Sequence, residues 1–233
     1  MPMNGYIGEM SNLGDYCIFF REFRENFHTT GAVLPSGRAL TRALARYVSQ
    51  DGPPRRVLEV GPGTGAVTAR IVRMLRPEDR FDLVELNDRF VARLHQRFAE
   101  EPAFRQVADR SRVLHQGVET LPVDERYDLI ISGLPLNNFS VELVEQILTS
   151  LRALLATRGT LSFFEYIAIR YAKSFVSAAS DRARLRGINQ AIHRILGPHE
   201  VRRDWVWLNL PPAWVHHVQF AEQQLGELVC SRG

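Results

Sequence analysis

The sequence contains little cysteine. Cys17 and Cys230 lie near opposite ends of the 233-residue chain, outside any CxxC or Cys/His cluster. We therefore expect no structural zinc and no disulfide framework, as is usual in the reducing cytoplasm. Long apolar runs are also missing, since none approaches the roughly 18 to 20 residues of a membrane-spanning helix. The first 30 residues lack the basic and apolar regions of a secretory signal. A membrane is therefore expected to be reached only from its surface.

Lysine is nearly absent, because Lys173 is the single lysine beside 28 arginines. Codon bias would explain this, and selection of arginine for bidentate phosphate binding is the alternative. The net charge of +3 is unevenly spread, since residues 182–203 contain six arginines against one acid, Glu200. This segment is the predicted anion-attracting face, with a solvated helix face as the alternative. The candidates for contact with lipid headgroups are Arg182, Arg184, Arg186, Arg202 and Arg203.

Hydrophobic periodicity predicts two N-terminal helices, an aromatic amphipathic one over 13–27 and a second over about 36–50. After the break at Gly52, strands and helices alternate, which predicts an α/β fold with a doubly wound, mainly parallel seven-stranded sheet. The last two strands are predicted to be antiparallel. The predicted domains are an N-terminal helical segment, 1–50, and a larger domain, 51–233. The predicted strands are 56–60, 81–86, 112–115, 127–132, 160–165, 200–209 and 213–221, and the later helices are 65–76, 88–100, 140–156 and 167–195.

The run EVGPGTG, residues 59–65, follows the first predicted strand and opens a helix, where ligands bind in open α/β sheets. With Ala66 it also matches the dinucleotide fingerprint, and Glu85 has the spacing of a ribose-binding acid. Glu59 distinguishes the two, because a carboxylate repels a pyrophosphate and attracts a ligand with ammonium and sulfonium groups. S-adenosylmethionine (SAM) is therefore the predicted cofactor, and an NAD-dependent oxidoreductase is the alternative. The predicted cofactor-binding residues here are Glu59, Gly61, Gly63, Thr64, Gly65, Glu85 and Leu86.

The order of these motifs resembles that of the class I SAM-dependent methyltransferases, because the SGLPL run at 132–136 also follows the fourth strand. More narrowly, residues 30–38 (TGAVLPSGR) and 209–213 (NLPPA) resemble bacterial phospholipid N-methyltransferases, which are similar to the rRNA adenine dimethylases. The resemblance covers roughly residues 18–220. It implies that Ser132, Gly133 and Leu134 line the methyl-transfer site, with Ser132 also near the cofactor. It further implies that Thr30, Gly31 and Ala32 close over the methionine end of SAM.

Two departures from the related base methyltransferases are informative. Those enzymes resemble one another in an Asn/Asp-Leu/Pro-Pro-Tyr/Phe run, but residues 133–136 read Gly-Leu-Pro-Leu. A flipped adenine would lose its hydrogen bond and its stacking partner, unless Asn137 or Asn138 substituted. Leu136 would suit an acyl or glycerol neighbour instead. After the third strand, a Gly-Asp-Ala-type run reads Gly-Val-Glu, so either Glu119 contacts the adenine of SAM by a one-residue shift or backbone groups do.

A primary ammonium has a pKa of about 10.4 and must lose its proton before it can attack. Methyl transfer to a lipid amine therefore requires a proton acceptor. The candidates are Glu165, Tyr166, His28, His216 and His217. Tyr166 is also predicted at the catalytic site because an aromatic ring can steady the developing cationic nitrogen, with core packing as its alternative role.

The predicted function is SAM-dependent N-methylation of phosphatidylethanolamine towards phosphatidylcholine. Ornithine lipid is the alternative acceptor, and RNA adenine N6-methylation is a further alternative. The enzyme is expected in the cytoplasm, peripherally bound to the inner face of the cell membrane, with a lipid as partner, no nucleic acid and no metal. The aromatic stripe of residues 13–27 would either lie at the headgroup boundary or cap the core.

Overall fold

The computed structural model describes residues 37–49, 52–167, 179–209 and 212–220. Seven strands form one sheet in the order β3-β2-β1-β4-β5-β7-β6. The first five are parallel, and β7 runs antiparallel to both β5 and β6. The predicted fold class, a mainly parallel doubly wound sheet with an antiparallel end, is confirmed. The strands are β1 Arg56–Val60, β2 Arg80–Glu85, β3 Ser111–His115, β4 Tyr127–Ser132, β5 Leu155–Tyr166, β6 Glu200–Val206 and β7 Ala213–Gln219.

Six α-helices are described around this sheet, and two of them have the side-chain caps that helix ends require. The Asn87 side chain accepts hydrogen bonds from the backbone N–H groups of Arg89 and Phe90. The Ser140 side chain accepts one from Leu143. These caps fix the starts of the two helices predicted near 88 and 140. The helices are α1 Arg38–Leu44, α2 Thr68–Ile71, α3 Asp88–Glu100, α4 Pro102–Arg105, α5 Val141–Leu154 and α6 Ala179–Ile195.

Two predicted helices are shorter than expected because their final turns tighten. After α1, the N–H of Val48 bonds to the carbonyl of Ala45, three residues back. After α2, Met74 bonds to Ile71 in the same way. A bond to the carbonyl three residues earlier is typical of a 3₁₀ turn, so the chain keeps turning after the α-helix itself has ended. The short helix α4, which begins at Pro102, was not predicted.

Strand β5 begins earlier than predicted because it contains an irregular segment. Leu155 pairs with Tyr127 and Thr160 pairs with Leu129, so five residues of β5 span two residues of β4. Arg158 within this segment has a φ of 62°. The regular pairing therefore starts at Thr160, where the strand was predicted to begin.

The helices cover the two faces of the sheet and bury a core on each. Helices α5 and α6 cover one face, where Leu148 and Ile188 pack with strand residues such as Ile130. Helices α1 to α4 cover the other face, where Leu44 packs in the same cluster as Leu83. Helix α1 also contacts β5, β6 and β7. We call these the α5/α6 face and the α1/α4 face.

The N-terminal aromatic stripe at 13–27 lies outside the described residues, so its role stays a prediction. The division of the chain at residue 50 also stays a prediction, although Leu40, Leu44 and Val48 are buried against the sheet. Within the described part of the chain, no helix is long and apolar enough to cross a membrane.

Candidate functional site

The glycine run after β1 forms a tight loop at the carboxyl end of the sheet. Gly61, Gly63 and Gly65 have φ values of 68°, 56° and 82°, which other residues rarely adopt. The Gly133 N–H donates to the Val60 carbonyl at 2.8 Å. A Cβ on Gly133 would lie 2.6 Å from the Gly61 carbonyl oxygen. The loops after β1 and β4 are therefore in direct backbone contact, as the prediction of a shared site requires.

Glu85, at the end of β2, holds the glycine loop through its carboxylate. One oxygen accepts the Gly63 N–H at 3.0 Å and the other accepts the Asn87 N–H at 2.9 Å. Burial raises the pKa of Glu85, and these backbone amides act in the opposite direction. Each carboxylate oxygen keeps a second lone pair, which a ribose hydroxyl could use. Glu85 thus positions the loop, in addition to its predicted contact with the ribose diol.

Glu59 is buried on β1, and no ion pair to its carboxylate is found in the described part of the chain. The residue is 1% exposed, and neither carboxylate oxygen makes a hydrogen bond. Burial, with the nearby charge of Glu85, raises the pKa of Glu59 to about 8, and Thr68 and Arg97 act in the opposite direction. A solvated carboxylate at the strand end is thus ruled out. Near neutral pH this side chain is mostly protonated, and a bound cation would favour its ionised form.

This loop fits SAM by two observations on the protein itself. The orphaned carboxylate of Glu59 is the partner that an ammonium or sulfonium group needs. In addition, a Cβ built on Gly63 would meet nothing within 4 Å, so the loop is open on that side. Thr64 is exposed beside it.

Arg97 on α3 is a residue of this site that sequence reasoning missed. Its Nη1 donates to the carbonyls of Thr64 and Gly65 at 2.9 and 2.7 Å. Its Nε donates to Glu101 at 2.7 Å, and its guanidinium lies 4.2 Å from the centre of the Phe104 ring. The i,i+4 spacing of Arg97 and Glu101 was visible in the sequence, but the contact with the loop joins residues more than 30 positions apart.

Leu86 and Glu119 lie at the same edge of the sheet, beyond β2 and β3. The Leu86 carbonyl is 3.0 Å from Nε2 of His115. Glu119 folds back over Gly117, where an added Cβ would lie 2.1 Å from Oε1 of Glu119. Its other oxygen is buried without a hydrogen bond. One oxygen of Glu119 could therefore accept a hydrogen bond from the adenine of SAM. This contact stays a prediction.

The predicted methyl-transfer residues lie after β4. Ser132 and Leu134 are buried and Gly133 is partly exposed. Leu136 is also buried, in the core of the α5/α6 face, so it does not present the open apolar surface expected for an acyl neighbour. Arg184 of α6 fixes this loop, because its Nη1 donates to the Asn137 and Phe139 carbonyls at 2.9 Å each. Thr30, Gly31 and Ala32 lie outside the described residues.

The end of β5 presents two of the predicted proton acceptors on opposite faces. Tyr166 packs on the α1/α4 face, edge-on to Phe164 with ring centres 4.9 Å apart, and burial raises its pKa. Glu165 faces the other side, where its Oε2 lies 3.2 Å from Nε2 of His216. The Nδ1 of His216 lies 3.2 Å from Oε2 of Glu200. These three side chains form a Glu-His-Glu row that lines a groove of about 340 Å³ under α6.

His217, the next residue on β7, belongs to a sealed network on the α1/α4 face. Its Nδ1 lies 2.8 Å from Ser162 Oγ and its Nε2 lies 3.3 Å from Asp204. The residue types are those of a Ser-His-Asp triad, but the two ring nitrogens have exchanged partners, and Ser162 and His217 are fully buried with the Tyr47 ring packed on the histidine. Burial lowers the pKa of His217. The network therefore supports the fold, and no substrate can reach the serine.

The basic segment is engaged by the protein itself more than was expected. Arg184 holds the loop after β4, Arg202 donates to Asp204 at 2.7 Å, and Arg203 donates to Glu200 at 2.7 Å. Arg186 is exposed on α6. The predicted attraction to headgroup phosphates is correspondingly weaker, because three of the five arginines are partly neutralised or spend donors inside the fold.

Residues 57–159, which span the glycine loop, Glu85 and the loop after β4, match the family model described as a methyltransferase domain. This stretch of the chain is therefore a methyltransferase domain. Its cofactor is SAM. An O-methyltransferase from Streptomyces achromogenes, TomG, solved in complex with SAM, has the same fold, with a TM-score of 0.55 and 16% identity over 78% of this chain and 79% of that one.

Two curated relatives of this methyltransferase act on different acceptors. The ornithine lipid N-methyltransferase of Singulisphaera acidiphila is 29% identical over 148 residues, which cover 64% of this chain and 76% of that protein. The ribosomal RNA small subunit methyltransferase A of a Synechococcus species is 49% identical over 71 residues, but these cover 30% of this chain and only 24% of that protein. The longer match is to the lipid enzyme, and the shorter one covers too little to transfer a substrate.

Proposed function

We propose that this methyltransferase transfers methyl groups to the amine of a membrane lipid. The observation that carries the proposal is the loop after β4, where Gly133 and Leu136 replace the polar and aromatic positions of base methyltransferases. The nearest following aromatic, Phe139, is 1% exposed and packed in the core of the α5/α6 face. Asn137 is buried as well. No side chain of this loop is thus available to stack on a flipped base, whereas an aliphatic amine needs no such platform.

Ornithine lipid is the first candidate acceptor, because a relative that covers most of the domain methylates that lipid. Phosphatidylethanolamine is the second, since residues 30–38 and 209–213 resemble phospholipid N-methyltransferases. The arginines no longer favour a phosphate-bearing headgroup, because Arg202 and Arg203 are paired with acids. Both lipids present a primary amine near the membrane surface, so the chemistry at nitrogen is the same.

The protein must remove a proton from the lipid ammonium before the nitrogen can attack, and we propose that Glu165 accepts it. Because Ile131 pairs with Ser162, the Cα atoms of Ser132 and Glu165 are about 8 Å apart by strand spacing and rise. His216 lies between Glu165 and Glu200, which is nearer the surface, but its Nε2 makes no hydrogen bond to Glu165. SAM supplies an activated methyl carbon. The amine, already deprotonated, would take this methyl carbon as the sulfur leaves with the electron pair of the C–S bond, and Glu165 would hold the proton.

Labelled SAM tests the acceptor class directly. The full chain is incubated separately with vesicles containing ornithine lipid, vesicles containing phosphatidylethanolamine, and structured RNA, and each product is extracted. We expect label in the lipid extract of at least one vesicle sample. Label confined to RNA would overturn the proposal. The matched control is Gly63→Val, which should lose labelling of every acceptor because its φ of 56° disfavours a β-branched residue.

A further inference from the structure

The three tryptophans of this chain, all that it has, lie together at one corner of the sheet. The rings of Trp205 and Trp207 stack with centres 5.3 Å apart and an interplanar angle of 23°. Trp214 meets Trp205 edge-on at the same distance. Trp205, near the end of β6, pairs with Trp214, near the start of β7, so the two strands present one aromatic cluster.

Most of this cluster faces solvent. Trp205 is 55% exposed, Trp207 is 64% exposed and the adjacent Leu208 is 92% exposed. We call these three residues with Trp214 the tryptophan surface. Of the five large hydrophobic side chains exposed in the described part of the chain, three belong to it; the others are Val123, far away in the sequence, and Val201, near the start of β6. An apolar patch of this kind on a soluble protein marks an interaction site.

The position of the tryptophan surface connects it to the proposed acceptor site. Trp214 pairs directly with Glu165 across β7 and β5. The surface therefore borders the same carboxyl edge of the sheet that carries the glycine loop and the loop after β4. An acceptor that approaches Glu165 would pass beside these rings.

The chemistry of the surface fits the interface of a lipid bilayer. Tryptophan concentrates at headgroup depth in membranes, because its ring is apolar and its N–H can still bond to water or phosphate. The Arg203 guanidinium lies 5.7 Å from the centre of the Trp214 ring, and the side chains of Arg202 and Arg203 are about half exposed at the border. Long basic side chains around an aromatic patch can remain in the headgroup layer while the rings insert.

We propose that the tryptophan surface docks the enzyme on the bilayer that contains its substrate. The proposal rests on the proposed function, because a lipid acceptor brings the site to a membrane. The inserted rings would hold the carboxyl edge of the sheet against the headgroups. A lipid amine then needs to rise only a short distance to reach Glu165.

Intrinsic tryptophan fluorescence tests the docking without turnover, because every tryptophan lies in this surface. The full chain is mixed with vesicles of phosphatidylglycerol and phosphatidylcholine, with and without brominated acyl chains. We expect a blue shift on binding and quenching by the brominated lipid. Binding with neither signal would overturn the proposal. Self-association of the protein without vesicles, with the same blue shift, would assign the surface to a second copy instead and would also overturn it.

Substitution separates docking from catalysis. The double variant Trp207→Ser with Leu208→Ser should lower vesicle partitioning about tenfold or more, since two large apolar side chains no longer insert. Its activity on a short-chain lipid dispersed as monomers should be unchanged. The control, Val123→Ser, removes an exposed apolar side chain elsewhere and should leave partitioning unchanged. Equal partitioning of both variants would contradict the docking role. If the wild type does not methylate the monomeric lipid at all, that result would count against the proposed function and not against docking.

Discussion

The buried acids of this protein fall into two groups, which differ in their partners. Asp79, Asp82 and Asp204 each lie against arginine, at 3.0, 2.7 and 2.6 Å. The pKa values of Asp79 and Asp204 are held low by hydrogen bonds from those arginines. Glu59 and Glu85 are as deeply buried, yet no ion pair is found for either in the described ranges, and burial raises both pKa values.

From this difference we infer that the arginine-paired aspartates stabilise the fold and that Glu59 and Glu85 bind a ligand. A buried carboxylate without a cation destabilises the protein, so its presence beside an open glycine loop indicates a site where binding supplies the missing charge. Glu165 is an intermediate case, because its partner His216 is charged only when protonated. The comparison therefore predicts that loss of the first group damages stability and loss of the second damages binding.

The largest effect is expected from Asp79→Ala. Its oxygens accept the N–H groups of Arg55 and Arg76 at 2.9 and 3.0 Å, and these would be left without a partner. We expect a loss of about 3 kcal/mol in the free energy of unfolding. Chemical denaturation at neutral pH measures it. The wild type should lose stability progressively as pH falls from the pKa of the unfolded aspartate through the lowered native pKa, because the native state favours the ionised form. A SAM affinity that fell in parallel would break the comparison.

Glu85→Ala should instead weaken SAM binding by about 100-fold or more. The substitution removes both the tie to Gly63 and the predicted acceptor for the ribose diol, which are charge-assisted hydrogen bonds. Calorimetry gives the affinity, and thermal unfolding shows how much of the change comes from stability. Asp79→Ala serves as the matched control. Unchanged affinity in Glu85→Ala would remove the cofactor from this strand end.

Glu165→Gln should lower kcat about 30-fold at neutral pH. This is less than the roughly 100-fold or more that general acid–base catalysis usually contributes. The deficit should shrink as pH rises, because solvent then deprotonates more of the lipid amine. His217→Gln is the control, since it lies on the sealed face and should change stability while preserving the pH profile of kcat. A pH-independent deficit in Glu165→Gln would indicate a structural role only.

Glu59 should make SAM binding depend on pH by about tenfold. The native pKa of about 8 lies above that of an unfolded glutamate, so the native protein holds the extra proton between the two values. Stability due to this group therefore falls as pH rises through that window. A cationic ligand favours the ionised form, so SAM affinity should rise between pH 6 and 8 as the proton is released. Calorimetry should show this slope in the wild type and a flat profile in Glu59→Gln.

The sequence was sufficient for features that depend on local pattern. The apolar strands at 56–60 and 127–132 and the glycine run between strand and helix are confirmed, because alternation and turn residues act over short distances. The burial of Glu59 was not foreseen, because strand periodicity alone does not show which helix covers a face. Contacts across the sheet were also beyond reach. Arg97 meets the glycine loop, and Glu165 meets His216 on an antiparallel strand, only because the topology brings distant segments together.

The close approach of Gly133 to the Gly61 carbonyl has a consequence for how this enzyme could change its acceptor. Backbone atoms, with no side chain between them, set the separation between the glycine loop after β1 and the loop after β4. Rotamer changes cannot widen or narrow that gap. We therefore expect a new acceptor specificity to arise from the side chains around these two loops, while the distance between the loops stays constant.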